Sequence, residues 1–465
     1  MAKSPFAKRE ERTELTRRAL IKWSVAAGAA LGVSRSKIFD ILEKTAGKSV
    51  AEAASAALTH RYVGIAAGNG GLAWFTSFWP QNAAAAANNP NYAVKPGSSL
   101  MAGTKNPLTV TADTPWMSIP AANQVTAFQC GNNETHTQQP QSPVSLNGSN
   151  IWSVVSALQA GASAVIPLIT IGNVDVGTAA GAARPSNVNN GDGIVGLFNS
   201  AASRAGGLLS NPADASLYKA HYDAFTQLNR AANRSTTKIS YTSASGAAGF
   251  LGTNLSAALS ITAADLTRYG INGNTRSNVS DIGRALIVTV KAFKMGLTNA
   301  VILPAMDDDP HGAFDGGDIN IVPGQLKGVF DGFMNDLAAT VYDASQLALS
   351  ADTVISVHGD TTKDALTATG WPDGTANNSN TVFCYSAGEL NSGWYGGLTI
   401  ANNKATAQGF DNTGATTAYN GTMTATYATS AIAYAVAKRD DRAVGAFENG
   451  LITVSAGIGK PPTGT

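Results

Sequence analysis

The sequence has few of the residues that build covalent frameworks or strongly charged surfaces. Only 2 of its 465 residues are cysteines, so at most one disulfide, between Cys130 and Cys384, could form in an oxidising compartment. Charged residues make up 14% and the formal net charge is +1, which leaves no basic surface for nucleic acid. We therefore expect no nucleic-acid partner and a surface that relies on neutral polar side chains.

Long apolar runs are also missing. The mild apolar run at 23–33 is too short to span a membrane as a stable helix. It follows T-R-R-A-L-I-K at 16–22, which is typical of a twin-arginine export signal, and the small residues A-S-A at 54–56 suit cleavage. We predict that residues 1–56 are a signal read by the twin-arginine machinery and that the protein is periplasmic or extracellular. The alternative is an amphipathic cytoplasmic helix with a chance arginine pair.

Apolar residues are plentiful, at 44%, which is enough to bury a large α/β core over residues 57–465. Residues 61–67 predict a buried first strand that runs into a glycine-rich turn at 68–71, where backbone can approach a ligand closely. Residues 72–118 lack a steady period and predict long ordered loops. Between 172 and 279 the pattern loosens, which indicates a peripheral insertion.

Regular periodicity elsewhere predicts alternating helices and strands. The predicted strands are 126–130, 164–171, 299–305, 353–357 and 451–455, with a late hairpin from 381–385 and 393–400. The predicted helices are 150–160, 211–234, 280–295 capped by Ser280 and closed by Gly296, one carrying apolar residues from 326 to 341, and 427–437. The order helix, strand, helix, strand implies right-handed parallel crossovers and neighbouring strands.

Two of these strands end in aspartates and a histidine. The strand before position 306 runs into D-D-D-P-H, where Asp309 and His311 could grip one divalent cation, and the next ends in H-G-D at His358 and Asp360. Loops at the carboxyl ends of neighbouring parallel strands converge, so we expect these four side chains to share one site. Asp-rich loops are also common as solvated turns, and a lone histidine at a strand end is more often structural.

A second polar cluster follows the predicted strand at 126–130 and contains His136 and Thr137. No Ser or Thr stands in an unmistakable nucleophile motif, and Thr137, beside His136, is taken as the candidate nucleophile. An ordinary loop threonine is the simpler interpretation. Asp373 stands further along, in W-P-D-G.

Taken in order, the leader, D-P-H, V-I-S-V-H-G-D-T-T-K, G-W-P-D-G and G-W-Y-G-G-L resemble a large bacterial family of exported proteins of unknown function within the alkaline phosphatase and sulfatase-like superfamily. The resemblance is strongest over 280–398. It implies an α/β fold with a central, mostly parallel sheet flanked by helices, long loop insertions, and two metal ions at the carboxyl edge, often zinc, calcium or magnesium. Members cleave phosphate or sulfate esters with a Ser, Thr or modified Cys nucleophile lying against the metals.

By position, the resemblance implies Asp309 with His311 and His358 with Asp360 as metal-ligand pairs, and Asp373 near a later ligand motif. The chain departs from the pattern where the first strand should deliver an aspartate, because Asn69 stands there, and no further histidine follows His358.

Two functions therefore stay open. One is an exported metal-dependent hydrolase of phosphate or sulfate esters with a degenerate metal site. The other is a non-catalytic secreted binding or structural protein of the same fold that holds a glycan or protein partner. Because a neutral amide compensates the repulsion between two close cations less well than a carboxylate, we expect at most one tightly bound divalent ion and slow or absent hydrolysis.

We predict that the mature protein begins at or near Ala57, because the twin-arginine motif precedes a suitable cleavage pattern that ends at Ala56. Amino-terminal sequencing of the protein isolated from the periplasm checks this. A chain that begins at Ala2, or that fractionates with the cytoplasm, would contradict it.

Overall fold

The structure is a computed structural model, and the residues it describes are 59–66, 70–71, 73–131, 145–162, 164–198, 255–304, 306, 308–342, 347–358, 363–374, 377, 379–447, 454 and 457–462. The strands are β1 Arg61–Ala66, β2 Ser99–Met101, β3 Leu108–Val110, β4 Thr126–Cys130, β5 Ser145–Leu146, β6 Ser149–Asn150, β7 Leu168–Ile171, β8 Ser186–Val188, β9 Ala300–Pro304, β10 Thr353–His358, β11 Asn380–Tyr385, β12 Gly393–Tyr395, β13 Gly397–Ala401, β14 Lys404–Phe410 and β15 Thr416–Ala418. The α-helices are α1 Ala73–Thr76, α2 Asn82–Ala86, α3 Ile151–Leu158, α4 Gly191–Phe198, α5 Leu255–Leu259, α6 Ala263–Arg268, α7 Ser277–Lys294, α8 Val322–Ala339, α9 Gly421–Val436 and α10 Asp441–Gly445.

In the described part of the chain, eight strands form the main sheet, in the order β12-β4-β11-β10-β1-β9-β7-β8. Strand β11 runs antiparallel to both of its neighbours, and the other seven are parallel to one another. The predicted α/β fold with a mostly parallel central sheet is confirmed at this level.

Strand β1 lies at the centre of the sheet, and all six of its residues are buried. It pairs in parallel with β10 on one edge and with β9 on the other. The prediction that β9 and β10 are direct neighbours is therefore wrong. A strand that is buried along its whole length needs a hydrogen-bonding partner on both edges, and insertion between β9 and β10 provides both partners.

Helices cover the sheet and bury its side chains. Helices α3 and α9 share one apolar cluster with the sheet, which contains Trp152, Ile432, Tyr62 and Ile302. Val63 alternates with Tyr62 along β1 and so belongs to the other face, where it is also fully buried. Helices α7 and α8 pack against each other, and α7 contacts β9. Both faces of the sheet are thus removed from water.

The predicted late hairpin is wrong, because β4 lies between its two arms. Strand β4 pairs antiparallel with β11 and parallel with β12. All six residues of β11 are buried, so this strand needs a partner on each edge, and β10 and β4 provide them.

The start of helix α7 also differs from its prediction. Ser280 does not cap the helix, because its backbone N–H already donates to the carbonyl of Arg276 at 2.9 Å, inside the first turn. The predicted end is confirmed, since Gly296 follows the helix with a φ of 67°.

Cys130 and Cys384 are both buried and free. In the β4–β11 pairing, Cys130 lies opposite Asn380 while Cys384 lies opposite Thr126, so the two cysteines are four positions apart (380 to 384). That offset corresponds to roughly 13 Å along a strand, which is beyond the reach of a disulfide. The disulfide that the sequence left open does not form.

The chain divides into two compact units. The smaller comprises Met1–Glu52, Ser163–Val165 and Asp192–Ser260, and its described residues include α5 and most of α4. The larger contains the whole main sheet, including the edge strand β8. The insertion predicted at 172–279 stays a prediction.

The predicted helix at 211–234, the predicted signal at 1–56 and most of the predicted strand at 451–455 lie outside the described residues. No helix in the described ranges is long and apolar enough to cross a membrane.

A buried network of charges ties the start of β1 to later parts of the chain. Asp352 accepts from Arg61 at 2.5 Å and pairs with Lys438 at 2.8 Å and with Nδ1 of His60 at 3.3 Å. Burial opposes ionisation of Asp352, but the hydrogen bonds from His60 and Lys438 outweigh it and hold the pKa of this carboxyl below its usual range.

Glu389 extends the same network. Its carboxylate lies 2.9 Å from Nε2 of His60 and 2.7 Å from Nε of Arg439. Burial alone would raise the pKa of the Glu389 carboxyl. The hydrogen bond from His60 and the positive charges of His60 and Arg439 have the larger effect, so the pKa lies below its usual range. Both nitrogens of His60 therefore face carboxylates, which holds the amino-terminal end of β1 in place.

Because the pKa values of Asp352 and Glu389 are depressed in the folded protein, their stabilising contribution is complete above the unfolded-state values of about 4 and is lost as the pH falls below them. We expect the free energy of unfolding, measured by urea denaturation, to fall steeply below about pH 4. Asp352→Asn should cost about 3 kcal/mol at neutral pH and flatten this acid slope. An unchanged slope in the variant would show that the network does not set the acid response.

Candidate functional site

Loops that follow the three central parallel strands meet at the carboxyl edge of the sheet. Gly71, in the turn after β1, approaches the loop after β9 so closely that a Cβ there would lie 1.8 Å from the carbonyl oxygen of Met306. Gly70 has a φ of 74°, and a Cβ there would lie 2.9 Å from a carboxylate oxygen of Asp309. The backbone of the turn after β1 therefore packs closely against Asp309 of the same chain.

The ammonium of Lys363 lies at the centre of a cluster formed by Asp309, His311 and Asp373. Its Nζ is 2.5 Å from Oδ1 of Asp309 and 2.9 Å from Nε2 of His311, and it donates to Oδ1 of Asp373. The Lys363 side chain is 1% exposed, whereas those of Asp309, His311 and Asp373 are 30%, 48% and 34% exposed. A lysine has three N–H donors, and here three acceptors surround them.

The tautomer of His311 follows from its second partner. Nδ1 lies 3.0 Å from the carbonyl oxygen of Gly370, which can only accept, so Nδ1 carries the proton and donates. Nε2 then presents its lone pair to Lys363. The N–H of Gly370 donates to Asp315 at 2.7 Å, which fixes the same loop from the other side. The same Nε2 lies 3.3 Å from Oδ2 of Asp309 and 3.5 Å from Oδ2 of Asp373.

A second cation holds the neighbouring aspartate. Arg276 lies 3.0 Å from Asp308 and 2.6 Å from Asp318. Burial of Asp308 raises its pKa above the usual range, against the opposing effect of the Arg276 charge. Asp308 and Asp309, consecutive in the chain, are thus each held by a different side-chain cation.

Aromatic rings hold the loops together beneath these charges. Trp371 packs edge-on against Phe314 at a centroid distance of 5.1 Å and against Trp74 at 6.4 Å. The indole N–H of Trp74 donates to the backbone oxygen of Asp308 at 3.1 Å. These three rings come from the segments after β10, β9 and β1, so each of the converging loops contributes one.

His358 lies in the core and is not a member of this cluster. It is fully buried, its Nε2 is 3.2 Å from the hydroxyl of Tyr62 and hydrogen-bonds Ser356, and its ring packs edge-on against Trp152. Burial lowers the pKa of His358 to about 3, so the imidazole is neutral. The residue is a hydrogen-bonded core histidine.

The structure thus brings together Asp309, His311 and Asp373, three of the five predicted metal ligands. Asp360 and the predicted catalytic pair, His136 and Thr137, lie outside the described residues, as does Asn69.

Sequence reasoning missed Lys363 and Arg276. A signal for Arg276 was present, because it precedes helix α7, where the positive end of the helix dipole disfavours a cation unless acidic partners are near. Lys363 had a weaker signal: a single basic residue shortly after a strand end that also carries an aspartate.

Part of the cluster has the composition of a metal site. Asp309, His311 and Asp373 each offer one ligand atom, all within 4.8 Å of one another, and three protein ligands suit a catalytic zinc site. However, the single Nε2 lone pair of His311 faces the ammonium 2.9 Å away, and an ion bound about 2.1 Å from Nε2 would overlap that ammonium. The residues do not fit a metal ion while Lys363 is in place.

A cleft beside the cluster is lined by Lys363, Trp79, Trp394 and the amides of Gln81 and Gln129. Trp79 and Trp394 are 1% and 3% exposed, and within the described residues neither indole N–H has a hydrogen-bond partner. Buried donors without acceptors are uncommon, and here two of them belong to residues that line one cleft.

Comparisons of the chain with protein families, with curated proteins and with solved structures found no match in any of the three.

The close approach of Gly71 to Met306 gives a direct test of how the loops meet. Gly71→Ala should destabilise the protein by about 3 kcal/mol in urea denaturation, because the added methyl would collide with backbone. The matched control is Gly273→Ala, where nothing lies within 4 Å of the added Cβ and the change should stay within about 0.5 kcal/mol. Equal effects of the two substitutions would disprove this contact.

Proposed function

We propose that the chain is an exported alkaline phosphatase and sulfatase-like protein in which metal-dependent cleavage of phosphate or sulfate esters is impaired or lost. The mostly parallel sheet supports the family, as does an Asp/His cluster at the carboxyl edge, where ligands bind in open α/β folds. The twin-arginine motif at 16–22 supports export.

The observation that carries the proposal is the position of Lys363 between Asp309, Asp373 and His311. A hydrolase of this type needs dications that lower the pKa of the nucleophile and neutralise the transferring group. An ammonium neutralises carboxylates, but it carries one charge and offers no vacant coordination position. The cluster can therefore hold its loops together without supplying that chemistry.

Electrostatic repulsion between Lys363 and a dication also disfavours metal binding. Two unit charges 4 Å apart repel by about 4 kcal/mol at the effective dielectric of a protein surface, and a dication beside an ammonium would meet about twice that repulsion. We expect a divalent ion to bind weakly, and at most once per chain.

The second candidate function is binding of an oxygen-rich small molecule, an ester or a glycan, in the adjacent cleft. The specific observation is the pair of buried indole N–H groups of Trp79 and Trp394, which have no acceptor among the described residues. Such donors suit the hydroxyl or ester oxygens of a ligand. Tryptophan fluorescence would report its binding.

The proposed function predicts the outcome of metal analysis and a substrate panel. Protein dialysed against zinc, calcium or magnesium should retain less than one ion per chain. Turnover of aryl phosphates and aryl sulfates should lie at least about 100-fold below the median enzyme rate of about 10 per second. Chelators should leave the residual rate unchanged.

The variant pair for this test is His311→Ala, at the cluster, and Asp281→Asn, an exposed position on helix α7. Both should leave the low residual rate unchanged. Two tightly bound ions per chain, with turnover abolished only by His311→Ala, would overturn the proposal and establish an active metal-dependent hydrolase.

A further inference from the structure

Each of the two acidic clusters at the carboxyl edge contains a side-chain cation shared by two carboxylates. Lys363 is shared by Asp309 and Asp373, and Arg276 is shared by Asp308 and Asp318. Asp308 and Asp309 are adjacent, so the two clusters lie side by side.

We propose that Lys363 is a built-in counter-ion that masks a latent three-ligand site for one divalent cation, formed by Asp309, His311 and Asp373. The inference deepens the proposed function and rests on it. It adds that the loss of metal binding has one identifiable cause, the ammonium, rather than a shortage of ligands.

The ligand geometry supports a masked site. The three ligand atoms lie within 4.8 Å of one another with Lys363 in place, so they are already gathered. The proton on Nδ1 of His311 is held by the Gly370 carbonyl, which orients Nε2 toward the centre of the cluster, as a second partner does for metal-binding histidines. Removal of the ammonium would leave an imidazole and two carboxylates facing one another.

The direction of approach supports the same inference. The Lys363 side chain is 1% exposed and reaches the cluster from the interior, whereas His311 is 48% exposed and the carboxylates about a third. The Lys363 backbone forms an antiparallel bridge with Asp373, which fixes where the side chain starts. The solvent side of the cluster therefore stays open to an incoming ion.

The alternative is that Lys363 moves aside and the wild-type protein binds a metal unaided. That movement would withdraw the ammonium from three acceptors and leave two carboxylates without their cation until the ion arrived. If Lys363 moves aside, the wild-type protein binds a divalent ion, and if Lys363 masks the site, it does not, so metal titration of the wild type separates the two.

The experiment is titration of the full-length protein with Co²⁺, read by visible absorption, and with Zn²⁺, read by thermal shift. The test variant is Lys363→Met, which keeps an unbranched side chain one atom shorter and removes its charge. We expect one ion per chain, bound at least about 100-fold more tightly than by wild type, because the repulsion between ammonium and dication is gone. The double variant Lys363→Met with His311→Ala should lose this binding.

Arg276→Gln is the matched control. It removes a cation from two neighbouring carboxylates that have no histidine ligand among the described residues, so it should create no tight site. Lys363→Gln, which keeps a hydrogen-bond donor, replaces the methionine variant if that variant does not fold.

Two results would overturn the inference: stoichiometric Co²⁺ binding by wild type that His311→Ala removes, or a folded Lys363 variant that binds no more tightly than wild type. The second result, together with absent ester turnover, would leave the proposed function standing. Metal-dependent ester turnover by wild type would instead overturn the proposed function itself.

Discussion

The pairing of β1 with β9 on one side and with β10 on the other determines where every loop of the candidate site lies. In this register Ala66 is paired with both Pro304 and His358, so the three parallel strands end at the same level. The residues of the site therefore follow strand ends that are already next to one another in the sheet. Gly70 and Gly71 permit the final approach, because side chains there would meet Asp309 and the Met306 backbone.

The chain has few charged residues, and many of them form ion pairs with one another. At one end of β1, His60 and Arg61 meet the buried carboxylate of Asp352, and at the other end Lys363 meets Asp309. Buried charges are costly unless paired, and once paired they specify a geometry more than they add stability. The two ends of the central strand are therefore fixed by ion pairs, while its length is held by apolar packing and backbone hydrogen bonds.

Much of the fold could be predicted from periodicity, because strand β1 and helices α3, α8 and α9 carry patterns that are local. The order of the strands in the sheet could not be predicted in this way, because it depends on which buried strand pairs with which. Strand β1 lies between β9 and β10, and β4 lies between β11 and β12, although each of these pairs is consecutive in the chain. For the site, Asp309 and His311 lie together as the strand end indicated, and their role as metal ligands stays a prediction. Asp373 joins them only because the segment after β10 folds back through the Lys363 bridge, a contact that no local pattern records.

The Asp/His pattern at the strand end does not by itself identify the cation that it surrounds. Aspartates and a histidine at the end of a parallel strand form the same pattern whether they surround a metal ion or a lysine, since both are cations that need oxygen and nitrogen lone pairs. What separates the two cases is whether the chain supplies a positive charge of its own at the same edge. Here Lys363 and Arg276 each stand between two carboxylates, so the acidic loops are largely neutralised by the chain itself. A protein built in this way can order its loops during folding without waiting for an ion, because its own cations already pair with the carboxylates.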